Sequence, residues 1–271
     1  MKKTSKLLTA GLLVLSMLAF AGCGNKQEAP AGNEAGQQAE QQAKVYVVGT
    51  NPTFAPFESQ DDNGNIVGFD IDLMEAIAAD QGIEIKVESL EFDALIMALG
   101  NGSIDIIASG MTITPERLEQ VDFTDSYYTA GLNIAVAEEN TTINGIDDLK
   151  GKVLAAQIGT TGALMCQQLV DDGIAKEAKL LADINICMLD LQNGACDAVI
   201  NDIPVTNDYI KANPGVVKVV GENFNAEEYG FAVSKEAPEL LAKLNAGLAN
   251  VIANGTYDNL YAKYFTEAAA E

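Results

Sequence analysis

Chemistry in this chain concentrates just past its apolar runs. Thr50 and Asn51 follow one such run, and Ser109, Gly110, Met111 and Thr112 follow another. Gly159, Thr160 and Thr161 follow a third, and Asn201 and Asp202 a fourth. Arg117 stands inside the segment opened by Thr114-Pro115-Glu116. The set is mostly hydrogen-bonding groups with one fixed cation and one carboxylate. A guanidinium binds a carboxylate through two parallel hydrogen bonds. Backbone N–H groups at a helix start, which Thr160 and Thr161 could offer, also favour an anion. A carboxylate such as Asp202, with the carbonyl or hydroxyl oxygens of Gly110 and Thr112, suits an ammonium. An α-amino acid asks for these groups together. Taken singly, each residue also fits an ordinary role. Thr112 or Thr114 can cap a helix, Asp202 can cap before Pro204, and Arg117 can be a solvated surface charge.

The elements that must position these groups follow from periodicity. Strands are expected at Val45–Gly49, Ile83–Val87, Ile104–Ala108, Leu132–Ala137, Val153–Ile158, Ala198–Ile200, Val216–Val220 and Gly230–Val233. Helical spacing appears at Asp70–Ala79, where Ile71, Met74, Ile77 and Ala78 share a face, and again at Phe92–Leu99. Helices are also expected after Pro115, after Gly162 through Val170, after Pro204, and over Pro238–Phe265 as one long helix or a pair. Strand–helix alternation argues an α/β fold with largely parallel sheets in two lobes. Ligands of open α/β sheets bind at the carboxyl ends of strands, where these polar residues lie.

Composition excludes several functions. The chain has no histidine, which removes Ser-His-Asp and Cys-His catalysis and any His-ligated metal. Cys166, Cys187 and Cys196 form no Cys-x-x-Cys pair, so a zinc or redox site is not expected. They read as small buried apolar residues, with a Cys187–Cys196 disulfide as the alternative. The formal net charge of −23 disfavours nucleic acid as a partner. No metal or cofactor is expected.

The N-terminus reads as an export segment. Lys2, Lys3 and Lys6 precede an apolar run from Leu7 to Ala21 that is short for a membrane span. Residues 1–22 are therefore expected to be a signal peptide, and its removal takes away three lysines and leaves a charge of −26. Ala21-Gly22-Cys23 resembles a bacterial lipobox, with Phe20 where Leu is usual. This implies lipidation of Cys23, with the acyl chains anchoring the protein to a membrane surface. Residues 23–43 are mostly Gln, Glu, Ala, Gly and Asn and read as a flexible tether.

Several motifs in order resemble one family. They are Gly49-Thr50-Asn51 with Phe54-Ala55-Pro56-Phe57-Glu58, Gly68-Phe69-Asp70-Ile71-Asp72-Leu73, and Gly110-Met111-Thr112-Ile113-Thr114-Pro115-Glu116-Arg117. Val121-Asp122-Phe123-Thr124-Asp125-Ser126-Tyr127-Tyr128, Gly159-Thr160-Thr161-Gly162, Asp197-Ala198-Val199-Ile200-Asn201-Asp202 and Glu228-Tyr229-Gly230 follow. Over about 45–265 the chain is similar to the polar amino acid family of ABC-transporter solute-binding proteins, the bacterial extracellular family 3. The resemblance implies a type II periplasmic-binding-protein-like fold. Its first lobe would be discontinuous (44–132 and 230–267), its second would be 133–229, and two hinge crossovers would lie near Gly131–Ala135 and Tyr229–Phe231. It implies that Arg117 takes the ligand carboxylate and Asp202 the ammonium, that Gly110 and Thr112 complete the cage, and that Thr160 and Thr161 reach the carboxylate on closure. Phe54 and Phe92 match positions that pack on the ligand side chain. Asn51 stands where members binding basic or amide side chains often have Asp, and Gln157 where some members place Lys.

The resulting expectation is a binding protein, not an enzyme. It would be a monomer anchored outside the cytoplasmic membrane, handing a polar uncharged amino acid such as glutamine or cystine to ABC permease subunits. A dehydratase on the same scaffold is the first rival, with Glu58, Glu91 and Asp93 as candidate acids. A receptor ectodomain is the second; the chain runs out at Glu271 with no transmembrane segment after the last helix, which argues against it.

Overall fold

Val45–Thr50 starts half exposed and ends fully buried, and it becomes a central strand of the first sheet. The structure, a computed structural model, describes residues 44–266. The expected signal peptide, the tether and Cys23 lie outside the described residues. The first sheet runs in the order Glu84–Ser89, Val45–Thr50, Ile106–Ile107, Ala232–Ser234, Val121–Phe123. The second runs Val217–Val220, Tyr128–Ala137, Ala198–Asp202, Val153–Gln157, Glu177–Leu181, with Ala226–Tyr229 pairing on the Tyr128–Ala137 strand.

Both sheets are mixed, where largely parallel ones were expected. Val45–Thr50 is parallel to both its neighbours, but Ala232–Ser234 is antiparallel to the two strands that flank it. In the second sheet Tyr128–Ala137 is antiparallel to Ala198–Asp202 and Val217–Val220. The cause is the crossover. These strands enter a sheet straight from the other one, without the helix that would turn them round. The two crossings pair with each other, Tyr128–Gly131 against Ala226–Tyr229, with Gly131 opposite Ala226. The first crossing thus begins three residues before the expected Gly131.

Other boundaries moved for local reasons. The strand expected over Ile104–Ala108 is reduced to Ile106–Ile107. The Asp105 side chain takes the Val47 N–H at 2.9 Å in place of a ladder carbonyl. The strand expected to end at Ile200 runs on through Asp202, paired with Leu132. The last helical stretch is two helices, Pro238–Ala253 and Thr256–Phe265, broken at Gly255 in the left-handed region.

The helix Phe69–Gln81 buries Phe69, Ile71, Leu73, Met74, Ile77 and Ala78. It packs on Pro238–Ala253, which brings Leu240, Leu244, Leu248 and Val251. Each fully buried Leu, Ile or Met contributes about 1.5–3 kcal/mol by leaving water. The closing helix adds aromatic rings: Tyr261 stacks on Tyr128 at 6.1 Å, and Phe265 lies 4.8 Å from it. The crossing strand is therefore braced by the end of the chain. Cys166, Cys187 and Cys196 are free and buried, as the apolar reading expected.

Candidate functional site

Four strand ends converge on one cavity. Val45–Thr50 delivers Asn51, and the stretch after Ile106–Ile107 delivers Gly110 and Thr112. Val153–Gln157 ends in Gln157, and Ala198–Asp202 ends in Asp202. Phe54, Phe92, Arg117, Thr160 and Thr161 complete the lining of a small cavity, with about 10 Å³ of free room. Ten of the twelve expected ligand-binding residues thus meet. Ser109 and Met111 do not line the cavity. The chain bends at Gly110, whose φ is +51°, and both side chains are engaged away from the cavity. Ser109 Oγ accepts the Asn51 N–H at 2.9 Å, and Met111 is buried in the core of the first sheet.

Arg117 is held by local chain geometry. Thr114 caps the one-turn helix Pro115–Leu118, its hydroxyl accepting the Arg117 N–H at 3.2 Å, and Pro115 occupies the first turn. The side chain, 8% exposed, donates from Nη1 to Thr112 O at 2.7 Å and from Nη2 to Gly159 O at 2.9 Å. Its guanidinium lies 5.5 Å from the Phe92 ring centroid. Burial lowers its pKa, but arginine starts so high that the charge stays. Gly159 has φ +80°, and a Cβ there would lie 2.9 Å from Asp93 Cβ, so the two sides of the cavity close to within a side chain's width at this point.

Opposite stands Asp202. It precedes the helix Ile203–Ala212 but makes no side-chain cap bond, which leaves its carboxylate to the cavity. Tyr229 donates its hydroxyl to Asp202 Oδ2. Burial pushes the Asp202 carboxyl up to about 7; the charge of Glu227 pushes the same way, while the Tyr229 bond and Arg117 pull it down.

The far wall is neutral. Gln157 Nε2 donates to Asn51 Oδ1 at 2.9 Å and to Ala182 O at 3.2 Å. Asn51 Nδ2 donates to Leu90 O at 2.9 Å. On the remaining side Thr160 caps the helix Thr161–Asp171, its hydroxyl accepting the Ala163 N–H at 3.1 Å.

Two acids that the sequence did not place in this assembly, Asp70 and Glu227, support it, together with Glu58, named above only for the rival dehydratase. Asp70 Oδ2 accepts the Gly110 N–H at 2.8 Å and the Tyr127 hydroxyl at 2.6 Å. Glu58 Oε1 accepts the Ser109 hydroxyl at 3.1 Å. Burial raises both, Glu58 well above the usual range and Asp70 to about 7. Glu227 Oε2 accepts from Thr112 Oγ1 at 2.9 Å and from Thr161 Oγ1 at 2.8 Å. Glu58 is thus sealed beneath the cage rather than open to it, and Glu91 and Asp93 are exposed. A larger hollow of about 570 Å³ lies at the other end of the first sheet, beside Tyr46, Leu99 and Pro238. Its one lysine, Lys44, is already paired with Asp105 at 2.6 Å.

Known proteins resemble this chain over most of its length. The chain is 35% identical over 265 residues to a probable histidine-binding protein of Neisseria gonorrhoeae, covering 97% of this chain and 96% of that one. It is 34% identical over 268 residues to the arginine-binding extracellular protein ArtP of Bacillus subtilis (strain 168), covering 98% and 99%. Among solved structures, an ancestral arginine-binding protein superposes with a TM-score of 0.78 when bound to arginine and 0.77 when bound to glutamine, at 42% and 43% identity. Each covers 82% of this chain and 98% of the other. These neighbours share the two-sheet α/β architecture, and they and the family are solute-binding proteins rather than enzymes. Residues 46–267 match the bacterial extracellular solute-binding proteins, family 3, and the chain belongs to that family.

Proposed function

We propose that this protein captures a free L-amino acid with a polar, uncharged side chain, glutamine foremost and cystine next, and hands it to the permease subunits of an ABC importer. The observation that carries the reading is the lining itself. Arg117 and Asp202 are its only ionisable side chains, one from each side, and Asn51 and Gln157 pair as amides at the far wall. Arg117 takes the α-carboxylate with the N–H groups of the Thr160–Thr161 turn. Asp202, Thr112 Oγ1 and Gly110 O take the α-ammonium, and Phe54 and Phe92 flank the side chain. A cationic side chain would find no carboxylate left opposite it, and burying an unpaired charge is costly. A neutral amide side chain finds both donors and acceptors. Residues 44–132 with 230–267 form one lobe and 133–229 the other, and the ligand favours the closed state through contacts that exist only there. Before closure the protein waits as a monomer at the outer membrane face, tethered through lipidated Cys23.

Calorimetry against the twenty amino acids and L-cystine tests this. Glutamine is expected to bind with a micromolar or lower Kd. Arginine or histidine binding alone, with no neutral amino acid bound, would overturn the specificity. Mass spectrometry of the mature N-terminus tests the anchor, and an unmodified Cys23 would end that part of the reading.

A further inference from the structure

Glu227 is not part of the cavity lining, but it stands directly behind it. It lies on the return crossing Ala226–Tyr229, opposite Ala130 of the outgoing one. A single atom, Oε2, accepts both the Thr112 hydroxyl at 2.9 Å and the Thr161 hydroxyl at 2.8 Å. Thr112 comes from the chain leaving the first sheet, and Thr161 opens a helix of the second. One oxygen on the crossover therefore joins a hydroxyl from each side of the cavity.

The bonding has a directional consequence. A threonine hydroxyl has one proton and two lone pairs, and an ionised carboxylate only accepts. Both threonines must spend their proton on Glu227. Only lone pairs then remain to face the cavity that both residues line. Released from Glu227, either hydroxyl could rotate and donate inward.

We propose that Glu227 is a positioning residue that fixes Thr112 and Thr161 as acceptors, so that this wall selects a ligand carrying an α-ammonium over the same molecule carrying an α-hydroxyl. The inference rests on the reading of the cavity as an amino acid site. Its negative charge adds to the effect, since it also acts on Asp202 and Arg117. Methionine at this position has a similar length and no oxygen, so it could hold neither hydroxyl as a donor, whereas the single oxygen of glutamine could still take both.

The test compares L-glutamine with its 2-hydroxy analogue in the wild type, Glu227→Met, Thr161→Val and the double variant, by calorimetry. Glu227→Met is expected to weaken L-glutamine about tenfold, the scale of one hydrogen bond to a charged group. The hydroxy analogue should change by less than about twofold, because a released threonine proton can meet its oxygen. The ratio of the two affinities therefore falls about tenfold, and a purely structural role would lower both alike. Thr161→Val probes the bond from its other end, should the Met variant fail to fold, and should lower the same ratio. The double variant should lose less than the sum of the singles. Equal losses for both ligands, or additive losses in the double variant, overturn the proposal while leaving the site intact. A wild type that binds neither cystine nor any of the twenty amino acids removes the underlying reading and this proposal with it.

Discussion

Arg117 makes two bonds to backbone carbonyls, on Thr112 and Gly159, that a ligand carboxylate would exchange for a two-pronged contact. Lysine has the charge without the planar fork. Arg117→Lys is therefore expected to weaken binding by about a hundredfold by calorimetry, since both a bidentate geometry and a charge-assisted bond are lost. Near-unchanged affinity would remove Arg117 from the site. Asp202 makes a second prediction. Its carboxyl titrates at about 7 in the empty protein, chiefly through burial. An ammonium beside it favours the ionised form and lowers that value, so binding below pH 7 must expel a proton. Affinity should be flat above about pH 7 and fall as pH drops below it, by at most about tenfold per pH unit. Asp202→Asn should bind weakly at every pH, with the slope gone. A slope that survives in Asp202→Asn would assign it to another group.

At the scale of elements, the site depends on how each strand ends. Thr114 fixes a helix of only four residues, and its cap bond lands on Arg117 itself. Thr114→Ala should cost about 1 kcal/mol in urea denaturation, the usual value of such a cap. It should weaken ligand several-fold more than a control substitution of equal cost far from the cavity. Much of this level was legible. Asn51 and Asp202 were named because strand termini in α/β sheets carry ligands, Thr160 and Thr161 because a Gly-Thr-Thr-Gly turn opens a helix, and Gln157 only through the family resemblance. Ser109 and Met111 were misplaced, because the bend at Gly110 that turns them from the cavity leaves no mark in the sequence beyond the glycine itself. Glu58 and Asp70 were harder. Each follows a phenylalanine in a motif, and nothing in the sequence tells a carboxyl sealed under aromatic rings from one on the surface. Glu227 lay in Ala-Glu-Glu-Tyr, which has no apolar run to mark it as a strand, so only the pairing with Tyr128–Gly131 reveals it.

For the whole molecule, three buried carboxyls set the response to pH. Glu58, Asp70 and Asp202 all have raised pKa values in the folded chain, and burial is the largest cause in each. Unfolding returns them to ordinary values near 4. Between about pH 4 and 7 the folded state therefore holds more protons than the unfolded one, and stability falls as pH rises through that window. The Tm of the ligand-free protein is expected to be higher at pH 6 than at pH 8, and Asp70→Asn should flatten the difference. A Tm that rises from pH 6 to pH 8 would contradict the assignment. The placement of Ala232–Ser234 has a further consequence, for synthesis and export. This segment sits in the interior of the first sheet, between Ile106–Ile107 and Val121–Phe123. A chain emerging from its N-terminus can lay down every strand of the second sheet while a gap remains in the first. That gap fills only when residue 234 arrives, more than a hundred positions after the neighbours it joins, and such distant closures make folding slow. The topology thus keeps the amino-terminal half from setting into its final form until nearly all of the chain is out, a useful delay for a polypeptide that must stay threadable.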